Sequence, residues 1–297
     1  MDVLQPLFTA VTVVFIATTM FAAGLGSTLP ALRSALTNVP LLVLVLLANL
    51  VAVPLLGWGL AALFRLPAAA FIGLVLAASS PGGPFGAKLG MVQRGDVTTG
   101  AAMQVVLAAL GSVTFAFTAN AVLRAADVGG GITLDVGTLV RTVALLQLVP
   151  FAIGLLMRHY GPGTALAWHP TAVKISNVTF LIVLVGMLLG SWRDVVALLG
   201  SRTLLAGFLF GAGAFAVGSL LATGAPLRRT TLGGVAAVRN AGPILAAVGI
   251  AFQDDPAILG AIAALLLSGL AAAVPIAVAL GRRRAPLSAA DAEQVRA

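Results

Sequence analysis

Apolar residues fall in nine long runs: residues 7–25, 41–64, 68–92, 97–123, 136–157, 173–189, 204–223, 230–252 and 258–280. A helix needs about 20 apolar residues to cross a bilayer. Each run is therefore read as one membrane-spanning α-helix. The runs do not alternate, as the roughly ten-residue strands of a membrane barrel would. Two of them are interrupted by helix-breaking residues. The third carries Ser79-Ser80-Pro81-Gly82-Gly83-Pro84, and the eighth carries Arg239-Asn240-Ala241-Gly242-Pro243. Pro54 lies inside the second. Pro and Gly free backbone groups from the helical ladder, and in a bilayer these must be satisfied by protein or by a water-filled cavity.

Each break lies one span before the end of its half of the chain, if the halves divide after the fourth span. Paired breaks of this kind point to an inverted-repeat transporter whose binding site lies where two discontinuous helices cross. The expected fold is an all-α polytopic membrane protein of four plus five spans. Residues 1–28 form the first span, and 29–126 form the rest of the first repeat, broken at 79–84. Residues 127–281 form the second repeat, broken at 239–243, and 282–297 form a polar cytosolic tail. A five-span repeat inverts its partner, so the four-span half is read as lacking an opening helix.

Composition closes off the other classes. Apolar residues make up 60% of the 297, charged residues only 9%, and mean hydropathy is +1.10. Soluble domains are about 25% charged, and disordered chains are polar. With no Cys, disulfide frameworks and thiolate metal sites are excluded. The N-terminus has Asp2 and no Lys or Arg before the first run, unlike the basic start of a secretory signal.

Charge then sets orientation. With the C-terminus inside and nine spans, the N-terminus is outside. Arg33, Arg94, Arg158, Lys174, Arg228, Arg229, Arg282, Arg283, Arg284 and Arg296 fall inside, against Arg65, Arg124, Arg141, Arg193 and Arg202 outside. This bias fits the positive-inside rule. The net charge of +8 is thus a matter of topology in a lipid bilayer and does not mark a nucleic-acid surface. The Arg-rich, Ala/Gly-rich style suggests a GC-rich bacterial genome and hence an inner membrane.

Two cations remain inside the broken spans. Arg239 lies ten residues after Arg229 and fifteen before Asp254, roughly 15 and 22 Å along a helix, too far to snorkel to either face. A central arginine costs roughly 2.5–3.5 kcal/mol to insert, and no span contains a carboxylate to pair with it. Its expected partners are freed carbonyls, side-chain amides, water or an anionic substrate. Lys88 lies six residues before Arg94 and either faces the same cavity or reaches the cytosolic interface. Asn49, Gln104 and Asn240 are the expected cavity-lining amides. Other intramembrane polar residues, Gln147 and Asn177 among them, read as packing contacts, as does Gly24. His159 and His169, expected in one inner loop with no carboxylate beside them, make no metal site. No cofactor is expected. The expected substrate-binding residues are Arg239, Asn240, Lys88, Asn49, Gln104, Pro81, Gly82 and Gly83.

The run Ser80-Pro81-Gly82-Gly83 followed by Arg94-Gly95-Asp96-Val97 resembles the bile acid:sodium symporter family. So do Val238-Arg239-Asn240-Ala241-Gly242 at the second break, Phe21-Ala22-Ala23-Gly24-Leu25 early in the chain, and Ala48-Asn49 to Pro54. The likeness covers nearly the whole chain in order. It implies a panel domain beside a core domain holding two crossed broken helices, and secondary transport of an organic anion, commonly sodium-driven. It also exposes departures. The positions of the family's sodium ligands match Gly86, Ala87, Gly100 and Gln104. The acid before the second break matches Val235, and the family's glutamine matches Arg239. Asn49 and Asn240 keep amides.

The expected function is secondary active transport of a small organic anion by alternating access, sodium-independent or proton-coupled. At an effective dielectric of 20, a fixed charge about 4 Å away repels sodium by about 4 kcal/mol. The alternatives are a sodium-coupled symporter of bile acids or other organic anions, as in the family, and an auxin-efflux or arsenite-type carrier of related architecture. A receptor would need a soluble output domain. An intramembrane enzyme would need acids, a nucleophile–base set or metal ligands within the spans.

Overall fold

The computed structural model describes residues 4–128, 134–198 and 200–284, with backbone alone at Leu4, Gln5 and Asp194. The tail expected from 282 onward therefore lies almost wholly outside the described residues. All nine apolar runs fall on helices. These are α1 (Leu4–Gly26), α2 (Leu29–Thr37), α3 (Val39–Leu47), α4 (Val53–Leu63), α5 (Ala68–Ser79), α6 (Phe85–Val92) and α7 (Val97–Ala125). Then follow α8 (Val136–Tyr160), α9 (Pro162–Gly190), α10 (Trp192–Ala197), α11 (Arg202–Leu221), α12 (Pro226–Ala237), α13 (Ala241–Ala251) and α14 (Pro256–Arg283). No strand occurs among the described residues. Eight stretches are long and apolar enough to cross a membrane, counting Val39–Leu63 and Pro226–Ala251 as one each. The shorter α5 and α6 make the remaining interrupted run.

The structure differs from expectation in four places. First, the second break is residues 238–240, not 239–243. Ala241, Gly242 and Pro243 form the opening turn of α13, where a proline costs no intrahelical bond because the first N–H groups have no partner. Second, Pro54 does not sit within one unbroken α-helix over 41–64. It follows a π-helical turn, Ala48–Ala52, that joins α3 to α4. The wider turn spares the clash a proline ring makes with the carbonyl four residues back. Third, α9 starts at Pro162 and runs through Pro170, so His159 and His169 share no loop. His159 is in the last turn of α8, and His169 lies on α9 against Gly26 of α1. Fourth, short helices α2 and α10 lie between runs. Thr28 caps α2, a local signal masked by the apolar runs around it.

The helices pack into two bodies. α1 sits between α8 and α9. Gly24 and Gly154 let α1 and α8 touch backbone to backbone, since a Cβ at Gly24 would stand 2.3 Å from the Phe151 carbonyl oxygen. Against this panel stands a bundle in which α11 packs on α12 and α14, α5 on α4 and α14, and α6 on α12, with α7 joined to both. Burial separates the two roles. In the most apolar window of Pro226–Ala251, 78% of residues are buried, against 22% in α8 and in α9. The α12–α13 stretch is enclosed by protein, whereas the panel turns its outer faces toward lipid.

At the polar ends, Asp96 caps α7 through Thr99 and pairs with Arg228 at 2.9 Å. Burial alone would raise the Asp96 carboxyl. Hydrogen bonds from Arg228 and Thr99 outweigh it and hold the group below the usual carboxylate range.

Candidate functional site

The two interruptions meet. Residues 80–84 separate α5 from α6, and residues 238–240 separate α12 from α13. The Asn240 N–H donates to the Ser80 carbonyl at 2.9 Å, and the Gly83 N–H donates to Val238 O at 3.3 Å. The Ser80 hydroxyl donates to the Asn240 carbonyl at 2.7 Å. Backbone groups freed by one break are thus satisfied by the other, as a dry interior requires. Gly82 has φ +79°, and a Cβ there would lie 2.3 Å from the Ala108 nitrogen of α7. A Cβ at Gly83 would lie 2.3 Å from the Arg239 carbonyl oxygen. The crossing is this close only because both positions lack side chains. Pro81 packs its ring against Gly111.

Arg239 is 5% exposed and directs its guanidinium into a cage of oxygens. Nε donates to Ala77 O at 3.1 Å, Nη2 to Ala78 O at 2.7 Å, and Nη1 to Ala236 O at 3.0 Å and to Asn49 Oδ1 at 3.1 Å. Ala77 and Ala78 end α5, and Ala236 is in the last turn of α12. Carbonyls in a last turn carry the negative end of the helix dipole, and of these Ala77 O also accepts the Ser80 N–H at 3.2 Å. The cation is therefore held by two helix C-termini and one amide, and among the described residues no carboxylate pairs with it. Four of the guanidinium's five N–H groups are engaged by these bonds. The π-helical turn positions Asn49, whose Nδ2 donates back to Val45 O at 3.0 Å.

The other expected residues are not gathered around Arg239. Asn240 caps α13, accepting the Gly242 N–H at 3.1 Å, and donates to Gln147 Oε1 at 3.0 Å. Gln147, on α8 and fully buried, also accepts from Ser112 Oγ at 3.3 Å, so this chain ties the second break to the panel. Gln104 accepts the Ala87 N–H at 2.8 Å and so caps the first turn of α6. Lys88 turns away from the crossing. Its Nζ donates to Asn177 Oδ1 of α9 at 3.0 Å and lies 4.5 Å from the centroid of the Phe85 ring. It faces α9 of the panel.

A small, partly open cavity of about 40 Å³ lies beside the crossing. Phe15 of α1, Phe180 of α9, Phe85 of α6, Phe210 of α11 and apolar residues of α14 line it, with Arg239 at one wall. Of the expected site residues only Arg239 reaches this lining. The Phe residues carried no signal in the sequence, because an aromatic ring in so apolar a chain reads as lipid-facing or core. Gln147 was visible as an intramembrane amide, but its link to Asn240 was not. Among the described residues no group of His, Asp and Glu is placed to hold a metal ion.

The profile described as the sodium bile acid symporter family matches residues 13–198, more than half of the 297-residue chain. The match runs from α1 to the end of α10, so it includes the first break and the panel and stops before the helices that carry Arg239. No curated protein matches the chain. An all-helical chain with many apolar spans, broken helices and this match is a multi-pass membrane protein of a transporter family: the chain belongs to the sodium bile acid symporter family.

Proposed function

We propose that this protein is a secondary active transporter that moves a small organic anion by alternating access without sodium as the coupling ion. The observation that carries this reading is the Arg239 guanidinium within the oxygen cage of Ala77, Ala78, Ala236 and Asn49. Hard cations such as sodium prefer oxygen ligands of this kind. A tethered cation already fills the space and satisfies the oxygens. A sodium ion about 4 Å away would be repelled by about 4 kcal/mol at an effective dielectric of 20, a loss of about a thousandfold in affinity. The carrier then works as a uniporter, an exchanger or a proton-coupled system. Residues 29–126 and 127–281 form the rest of the first repeat and the second repeat in inverted arrangement, and substrate reaches the crossing from alternate sides as panel and core rock against each other. The charge bias supports an outside N-terminus and a cytosolic C-terminus in a bacterial inner membrane.

The family match favours a second reading, sodium-coupled symport of a bile acid or related anion. Thermal-shift titration of the purified protein separates the two. Steroid, keto-acid and vitamin-like anions are offered in sodium and in choline buffer. A true ligand stabilises with dose dependence, and the proposal expects equal shifts in both buffers. A shift that needs sodium removes it. A lone cysteine is a clean label in this Cys-free chain. For orientation, Thr37→Cys is expected to react from the cytosolic side and Asp127→Cys from outside, and the reverse pattern would invert the assignment.

A further inference from the structure

The two intramembrane cations stand in unlike surroundings. Arg239 faces the C-termini of α5 and α12, each carrying about half a negative charge. Its charge is therefore offset where it stands, and four of its N–H groups are occupied. Lys88 meets one amide oxygen and one aromatic face, and among the described residues no carboxylate pairs with it. An ammonium carries three donors, so two are left over. It projects from the core half-helix α6 toward the panel helix α9. Lys88 is half-buried, and a cation placed so, without a counter-charge, has donors open to an anion.

The walls beside it are aromatic. Lys88 and Phe85 lie three residues apart on one face of α6, and Asn177 and Phe180 three apart on one face of α9, so the two pairs oppose each other. The Phe85 and Phe180 centroids are 5.3 Å apart, as are those of Phe15 and Phe180. These three rings lead from the ammonium into the cavity, whose side-chain lining is apolar apart from Arg239.

Resting on the proposed transport function, we infer that Lys88, and not Arg239, binds the substrate's charge, and that the substrate is a monocarboxylate with an apolar, hydroxyl-poor body. The carboxylate takes the free ammonium donors, with the Asn177 amide beside it. The body lies along Phe85, Phe180 and Phe15. A hydroxyl-rich anion, including a polyhydroxylated steroid, would bury donors and acceptors with nothing to pair them, at about 1–3 kcal/mol each. Substrate selection thus resides in the crevice between panel and core, while Arg239 holds the crossing together.

The test is calorimetric titration of the purified full-length protein in lipid nanodiscs, with phenylbutyrate, its uncharged amide and gluconate as probes, in choline and in sodium buffer. Phenylbutyrate is expected to bind about tenfold or more tighter than its amide, and gluconate not to bind. Lys88→Gln is expected to bring acid and amide to the same affinity, and Lys88→Arg to keep the preference for the acid. Arg239→Gln and Arg239→Lys keep that preference too. The inference is overturned if Lys88→Gln retains the preference, if either Arg239 variant abolishes it, if gluconate binds as well as phenylbutyrate, or if neither phenylbutyrate nor its amide binds. The sodium arm reads separately. Binding that depends on Lys88 but also needs sodium would sink the sodium-independent reading and leave this one standing.

Discussion

Arg239→Gln is expected to turn a protein indifferent to sodium into one whose stability responds to it. The substitution removes the guanidinium and leaves the carbonyls of Ala77, Ala78 and Ala236 and the Asn49 Oδ1 converging on a buried space. A shorter, neutral amide can serve at most two of these. Each buried acceptor left without a donor costs about 1–3 kcal/mol, so in choline buffer the variant should melt several kelvin below the wild type. Those same oxygens suit a hard cation. Sodium at ten times its dissociation constant would return about 1.4 kcal/mol by mass action. The wild type should melt at the same temperature in both buffers, and the variant should recover part of its loss in sodium alone. Arg239→Lys keeps the charge but not the planar fork, so it should be destabilised and yet remain indifferent to sodium. A wild type stabilised by sodium, or a glutamine variant blind to it, would remove the tethered-cation account.

The second large effect is expected at the first break. Gly82→Ala asks a Cβ to stand 2.3 Å from the Ala108 nitrogen at a residue with φ +79°. The left-handed conformation alone costs an alanine roughly 1–2 kcal/mol, and overpacking against backbone adds about 1–3 kcal/mol. Helix α7 cannot yield by rotating a side chain, because the obstacle is its main chain. Gly83→Ala meets the Arg239 peptide in the same way, so both variants should lose the monodisperse peak on size-exclusion chromatography. Gly59→Ala is the matched control. A Cβ there meets nothing within 4 Å, and alanine favours a helix interior over glycine by about 1 kcal/mol. If Gly82→Ala melts like Gly59→Ala, the close crossing is wrong.

Much of the architecture was legible because it depends on local chemistry. Apolar runs about as long as a bilayer is thick announce spans whatever they pack against. Ser80-Pro81-Gly82-Gly83 breaks a helix wherever it occurs. The second break was misplaced because Pro243 reads the same inside a first helical turn as inside a gap. Helix α9 was read too short because Pro170 and His169 look like loop residues when their partner α1 is not in view. At the site, the absence of acids from the spans left carbonyls, side-chain amides, water or an anionic substrate as the possible partners of Arg239. Which carbonyls, and whether Lys88 looked to the cytosol or to the panel, was not legible.

By itself the sequence determined a multi-pass helical membrane protein with two interrupted spans and two cations stranded within them. Run length, proline, glycine and charge are properties of a segment alone. Only the tertiary structure decided that Ala77, Ala78, Ala236 and Asn49 enclose Arg239, that Lys88 meets Asn177, and that four phenylalanines from four helices share a cavity. The reason is physical. A water-soluble helix reveals its inner face by being polar on the outer one, but lipid is as apolar as a protein core. In such a solvent the pattern of residues says that a helix lies in the membrane, and only packing says which way each side chain turns.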